Sequence, residues 1–244
     1  MTATLYKTDV IAALNRIVAV TEKRNTIPIL ANAALSVTPT HATLRGTDMD
    51  IEVTVTVPCV SDNTWETTVN AADLAKAFSK AKDSINLTYA DNMLGVSYGR
   101  TKFKFATLPH DEFPKLASDE YDTTFEMSGA ILADQMTRAM VAASSEETRY
   151  YLCGVYWHTD DGMLTAVSTD GHKLSKVSSD IEQEIDGVII PSKTALELRK
   201  IDADSVKVSV SKSKTRFEFG DTVIVSKVID GTFPDYSRVI PIGN

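Results

Sequence analysis

Cysteine is almost missing from this chain: two in 244 residues, Cys59 and Cys153, far apart and outside any CxxC pair. That argues against a disulfide framework or a structural zinc site and for a reducing compartment. Histidine is nearly as sparse. His41, His110, His158 and His172 fall in neither HExxH nor any other metal-ligand spacing. GxGxxG, GxxxxGK[ST] and GxSxG do not occur, so nucleotide-binding loops and a nucleophile elbow have no support, and neither cofactor nor metal is expected. No apolar run approaches the roughly 18 residues of a membrane span. The opening MTATLYKTDVIAALNR lacks the basic-then-apolar layout of a signal peptide, and Asp9 interrupts it. A cytoplasmic protein is the expectation. Positive charge is also short: 25 Lys and Arg stand against 33 Asp and Glu, a net charge of −8. This weighs against tight nucleic-acid binding over an all-round basic surface, but it leaves room for a local basic strip.

What is present is a balanced globular composition, 43% hydrophobic and 24% charged, in a length that suits two domains of about 100–150 residues. Self-similarity supports two. Thr47-Asp48 in RGTDMDIEV meets Thr169-Asp170 in VSTDGHKLSKV at an offset of 122. Leu30 in TIPILANAAL meets Leu152 in TRYYLCGVYW at the same 122. Val69-Asn70-Ala71 meets Ile190-Pro191-Ser192 at 121, and Phe113-Pro114 meets Phe233-Pro234 at 120. One order and nearly one offset point to duplication. The polar, acidic LASDEYDTT divides the halves, giving domains at 1–117 and 124–244 with a linker at 118–123.

Periodicity divides each half again. Val10, Ile11, Leu14, Ile17 and Val18 fall at helical spacing, predicting a helix over about Thr8–Val20 capped by Thr8 or Asp9. Further helices are predicted at about Ala71–Lys82, Ala130–Ala143 and Lys193–Lys200. Between them lie strand patterns such as ILANAALSV, DIEVTVTVPCV, KFKFATL, LCGVYWHT and KLSKVSSD. The reading is α+β: a strand, a helix and three strands, repeated four times, with helices on one face of the sheets.

Two features carry candidate chemistry. Basic residues recur on or beside the helices: Arg16, Lys23 and Arg24, then Lys76, Lys80 and Lys82, then Arg138 and Arg149, then Lys193, Arg199 and Lys200. Equivalent helices on one common surface would make a strip that tracks phosphates, although Asp73, Asp134 and Glu197 dilute it. The other feature is STDGHKL, where Ser168, Asp170 and His172 supply a hydrolase vocabulary. Neighbours on one tight turn rarely reach base–nucleophile geometry, so an enzyme is the weaker reading and no catalytic residue is expected.

The segments TIPILANAAL, RGTDMDIEV, KFKFATLPHDEFP, ETRYYLCGV, STDGHKL, VIIPSK and SKVIDGTFPDYSRVIP resemble, in order and spacing, the bacterial DNA polymerase sliding clamp, the β subunit of the replicative polymerase. The resemblance implies a DNA-clamp fold in rings that encircle duplex DNA without reading its sequence. It implies a non-enzymatic processivity factor of replication, cytoplasmic and nucleoid-associated. It also implies docking of the replicative polymerase, the clamp loader and repair proteins through QLxLF-type peptides in a shallow apolar pocket. The matching pocket positions are Leu152, Thr169, Gly171, His172, Lys173, Leu174, Pro234, Arg238 and Val239. For DNA the resemblance points to Arg24, Tyr150 and Tyr151, with Lys23, Lys76 and Lys80 as electrostatic candidates. Glu146-Glu147 stand where many members carry an amide, which opposes close phosphate contact there. The strand bearing Phe103 and Phe105 matches the edge through which family subunits join as homo-oligomers. The family has three domains per chain and this sequence matches two, so the third is expected to be absent. Truncation or a natural two-domain clamp that assembles as a trimer would each account for that. A two-domain scaffold or decoy that binds partner peptides without closing on DNA is the alternative.

Overall fold

Alternation builds the sheets. In β4 (Ile51–Ser61) the residues Ile51, Val53, Val55, Val57 and Cys59 are buried while their neighbours are not. One face of the strand therefore lies against the core. The computed structural model describes residues 1–22, 26–116, 120–181 and 183–241. The chain divides into two compact units, Met1–Asp119 with Arg216–Val225, and Glu120–Thr215 with Ser226–Asn244.

The first unit runs β1 (Thr2–Tyr6), α1 (Lys7–Val20), β2 (Asn32–Val37), β3 (His41–Thr47), β4, β5 (Trp65–Asn70), α2 (Ala71–Ser79), β6 (Ser84–Ala90), β7 (Met93–Tyr98) and β8 (Thr101–Ala106). The chain continues with β9 (Thr123–Ser128), α3 (Gly129–Ala139), β10 (Gly154–Asp160), β11 (Met163–Thr169), β12 (Leu174–Ser179), β13 (Val188–Pro191), α4 (Ser192–Leu198), β14 (Ser205–Val210), β15 (Lys214–Phe219) and β16 (Thr222–Lys227). Strand, helix and three strands thus occur four times. In the first unit the strands lie in the order β8-β7-β6-β1-β4, and β4 also joins β3, β2 and β5. The second unit holds β12-β11-β10-β13 and an antiparallel pair of β9 with β14.

Registers repeat as well as elements. Ala34 faces Arg45 across β2–β3, and Tyr156 faces Val167 across β10–β11. Thr47 faces Glu52 across β3–β4, and Thr169 faces Leu174 across β11–β12. In the first unit α1 packs on α2, β3 and β4, burying Val10, Leu14, Ile17, Leu74 and Phe78. In the second, α3 packs on α4, β11 and β12, burying Leu132, Met136, Ala195 and Leu198. Each of these large side chains, Ala195 excepted, contributes about 1.5–3 kcal/mol. Trp157 is fully buried and donates its indole N–H to Gln135 at 3.0 Å, while Gln135 donates to the Leu164 carbonyl at 2.7 Å.

Several predicted boundaries move. No side chain caps α1: Tyr6 is its N-cap, and Thr8 donates to Asp9 instead. Asn70 does cap α2, accepting from the Asp73 amide at 3.0 Å. That helix ends at Ser79 because the Ala81 amide turns back to the Phe78 carbonyl at 3.1 Å, leaving Lys82 outside. The predicted third helix is α3 followed by a 3-10 turn, Met140–Ala142. Leu30 and Leu152 lie in 3-10 turns, Pro28–Ala31 and Glu147–Leu152, rather than in the strands that follow. Pro28 presets the first of these by fixing its φ and removing a donor. β9 opens at Thr123, one residue inside the expected linker.

Candidate functional site

The Thr-Asp turn is one device built twice. Between β11 and β12 the Thr169 hydroxyl donates to the Lys173 carbonyl at 2.7 Å and accepts from the Gly171 amide at 3.0 Å. Asp170 Oδ1 accepts from the amides of His172 at 2.8 Å and Lys173 at 2.9 Å. Between β3 and β4 the Thr47 hydroxyl donates to the Ile51 carbonyl at 2.8 Å and accepts from the Met49 amide at 3.0 Å. Asp48 Oδ1 accepts from the amides of Asp50 and Ile51, each at 2.9 Å. The third residue is left-handed in both copies, Gly171 with φ 90° and Met49 with φ 80°.

These bonds answer the catalytic reading. The Asp170 carboxylate is held below its usual range by the backbone amides of Lys173 and then His172. Ser168 is fully buried and donates its hydroxyl to the Ala139 carbonyl. Among the described residues no hydrogen bond joins the His172 ring to either group. The Asp170 carboxylate shapes the loop and the Ser168 hydroxyl is held by the last carbonyl of α3, so both side chains have structural partners.

Beside the turn lies an apolar cluster of Leu152, Val167, Ile189 and Phe233, with Tyr151, Tyr156, Leu174, Ile229 and Tyr236 packed against it. Leu152 is 4% exposed and forms floor, while Leu174 is half-buried and opens to the surface. Pro234 follows Phe233 and is exposed. Arg238 and Val239 lie on a short 3-10 helix, Tyr236–Val239, and Val239 is 68% exposed. An apolar floor with exposed apolar side chains around it suits an extended apolar peptide. His172 is exposed on the turn. Lys173 is tethered, donating to the Val141 carbonyl at 2.7 Å with Asp170 at 3.8 Å. A Cβ at position 171 would lie 2.9 Å from an Arg149 guanidinium nitrogen, so the glycine keeps that approach open.

The basic residues divide unevenly. Lys23 and Arg24 lie outside the described residues. Lys76 is exposed 3.5 Å from Asp73, and Arg138 pairs with Asp134 at 3.1 Å. Lys200 pairs with Glu197 at the end of α4. The acids that dilute the strip in sequence therefore neutralise it in space. Lys80 is exposed and, with Lys82, Tyr98 and Arg100, lines a cleft of about 460 Å³. Arg16 is half-buried, its guanidinium 5.3 Å from the centre of the Phe219 ring. Tyr150 is 54% exposed and meets Tyr151 edge-on at 5.7 Å, whereas Tyr151 supports the apolar cluster. Glu146, one of the two carboxylates expected to repel phosphate, is bound by Thr148 and Arg149, which hold its pKa below the usual range. Phe103 and Phe105 stack at 6.1 Å on β8, the outermost strand of its sheet.

Family models cover both halves of the chain. Residues 1–117 match the N-terminal domain of the DNA polymerase III beta subunit, and residues 126–235 match its central domain. The Beta sliding clamp of Caulobacter vibrioides is 36% identical over 258 residues, spanning all of this chain and 69% of that protein. This chain belongs to the bacterial β sliding clamp family. The Haemophilus influenzae clamp is 29% identical over 99% of this chain and 68% of its own length. A solved clamp from Bartonella birtlesii, bound to griselimycin, superposes with a TM-score of 0.94 at 36% identity, covering 100% of this chain and 69% of that one. The Caulobacter crescentus pol III beta structure gives 0.93 at 36% identity, with 100% and 70% covered.

Other residues build this apolar surface that the motifs in the sequence do not point to. Tyr156, Phe233 and Tyr236 form one side of its floor, and Arg149 overhangs the turn. His158 and Asp160 share one face of β10, a period-two signal visible in YWHTD, yet nothing local shows that Tyr236 meets them. Among the described residues no group of three or more His, Cys, Asp or Glu could hold a metal ion, and no helix is long and apolar enough to cross a membrane.

Proposed function

We propose that this chain performs its family's task as a processivity factor of DNA replication, and that partner proteins dock an extended QLxLF-type peptide on the surface built by Leu152, Thr169, Gly171, His172, Lys173, Leu174, Pro234, Arg238 and Val239. The observation that carries the peptide reading is the second copy of the Thr-Asp turn, which stands beside an open apolar cluster with Val239 and Pro234 exposed. The griselimycin-bound relative is consistent with a ligand-accepting surface on a clamp of this family. The partners are the replicative polymerase, the clamp loader and repair proteins, and the chain is a non-enzymatic scaffold in the nucleoid-bearing cytoplasm. Family membership over the whole chain favours the clamp over a scaffold or decoy that never closes on DNA.

Duplex DNA is held loosely, by charge and stacking rather than by base readout. Arg24, Lys23, Lys76 and Lys80 supply charge and Tyr150 a ring, with Tyr151 acting mainly as its support. Loose contact suits a protein that must slide. Subunits join as homo-oligomers through the β8 edge at Phe103 and Phe105, an edge whose lysines discourage indiscriminate pairing.

A fluorescent QLSLF peptide titrated with the chain tests the pocket. Leu174→Asp with Val239→Asp removes binding, on the order of 100-fold or more, because a carboxylate replaces each apolar wall. Wild-type affinity in that double variant would sink the assignment. Mass in solution tests the edge: an oligomer that falls apart in Phe103→Glu supports it, and an oligomer unchanged by that substitution removes it.

A further inference from the structure

We propose that Tyr236 is a positioning residue for the outer wall of the pocket, and that the proton on His158 sets how firmly it holds. The inference rests on the peptide-docking reading above. Tyr236 opens the short helix that presents Arg238 and Val239, so whatever holds its ring holds that wall. The ring packs on the apolar cluster. Its hydroxyl lies 3.1 Å from His158 Nε2 and 3.1 Å from Asp160 Oδ2. From β12, Lys176 donates to Asp160 at 2.6 Å and places its ammonium 5.6 Å from the centre of the Tyr236 ring. His158 stacks on Tyr156 at 4.4 Å, and Tyr156 stacks on Phe233 at 5.0 Å. The segment from Phe233 to Tyr236 is thus gripped at one end by rings and at the other by a polar network.

Counting protons shows what is unsettled in that network. His158 Nδ1 lies 3.0 Å from the Thr159 carbonyl, which only accepts, so Nδ1 carries the proton. In the neutral ring Nε2 is then an acceptor. The single phenolic hydrogen of Tyr236 faces two acceptors, Nε2 and Asp160, and satisfies one. A proton on Nε2 resolves the conflict. Nε2–H donates to the Tyr236 oxygen, the Tyr236 hydroxyl donates to Asp160, and every member is paired. The groups facing the imidazole are Tyr156 and Asp160 from its own strand, Lys176 from β12 and Tyr236 from the helix. Burial pushes the His158 pKa below the ordinary 6.5, with Lys176 helping, against the Thr159 carbonyl and Asp160. The relay therefore completes on the acid side of neutrality, and the wall tightens as pH falls.

The test is anisotropy of a labelled, C-terminally amidated QLSLF peptide with the 244-residue chain between about pH 5 and 7.5, the window around the histidine step. Wild type is expected to bind more tightly toward acid. Tyr236→Phe keeps the ring and loses the hydroxyl. It is expected to bind about fivefold more weakly at the acid end, the worth of one net hydrogen bond, and to lose that slope. His158→Gln cannot titrate and is expected to lose it too. The readout is the difference between wild type and each variant. Wild-type affinity and wild-type slope in Tyr236→Phe would overturn the inference. Should that variant fail to fold, a wild-type slope in His158→Gln does the same. If wild type binds no peptide, or the Leu174→Asp, Val239→Asp double variant binds normally, the docking reading falls and takes this inference with it. If the docking reading survives and only the single variants match wild type, this inference alone falls.

Discussion

The two copies of the Thr-Asp turn share their hydrogen bonds, their left-handed third residue and their register, yet only the second is proposed to dock a partner. The difference lies in what surrounds them. Leu174 in the second copy corresponds to Glu52 in the first, 122 residues earlier. Leu174 opens onto the apolar cluster, whereas Glu52 turns its carboxylate to accept the Leu116 amide at 3.1 Å and lies 4.0 Å from Arg45. In the first copy Phe113 is buried with Ile29 and Ala34, and the Arg45 guanidinium lies 5.3 Å from its ring centre. The same turn thus closes one surface with a polar network and opens the other with a leucine. A duplicated frame can keep its backbone chemistry while single side chains decide which copy accepts a ligand.

That contrast can be broken or sharpened by substitution. The largest effect on stability is expected from Gly171→Val, which forces a β-branched residue to a φ of 90° and toward Arg149. We expect a loss of about 2 kcal/mol in urea unfolding together with weaker peptide binding. Asp48→Ala and Asp170→Ala each strip the acceptor from two backbone amides and should each lower the urea midpoint. Only the second should reduce peptide affinity, and equal effects of both on affinity would erase the proposed division of labour. Met49→Gly relieves a left-handed methionine and should stabilise by up to about 1 kcal/mol without changing peptide binding.

The smallest effect concerns Glu52→Gln. Burial pushes the Glu52 pKa up, against the Leu116 amide and Arg45. A raised folded-state pKa means that the protonated form favours folding, so this contribution is present at acid pH and lost as pH rises through the folded value. The glutamine variant should therefore be modestly more stable than wild type near neutrality, with the gap closing toward about pH 4, near the ordinary carboxylate range. Denaturation midpoints at the two pH values check this, and a gap that widened toward acid would contradict it.

Much of the frame was legible in sequence because repetition and periodicity are local signals. The near-constant offset predicted a doubled architecture, and the alternation of β4 predicted which residues are buried. The helices lay within a few residues of their predicted places. Their ends moved where no side-chain rule governed them, as at α1, whose predicted Thr8 or Asp9 cap is not used. Leu30 and Leu152 were read as strand because ILANAAL and LCGVYW are apolar runs, and a short run does not separate a 3-10 turn from a strand. At the pocket, Leu152, Leu174, Pro234 and Val239 were named from family motifs. The reason the surface stays open was not readable, since it depends on Phe233 and Tyr236 meeting Leu152 and Val167.

STDGHKL marks the division between the two kinds of information. The sequence by itself determined the turn: a Thr and an Asp whose side chains reach amides two and three residues on, and a third position suited to left-handed backbone. Those bonds span at most four residues and need nothing else. Only the tertiary structure decided that Ser168 is committed to the Ala139 carbonyl and that the loop stands beside an apolar cluster. It also decided that a tyrosine 78 residues beyond His158 completes a hydrogen-bonded network on the far side. Those contacts join segments that chain order keeps apart, and burial and packing, rather than local pattern, choose among the ways such segments can meet.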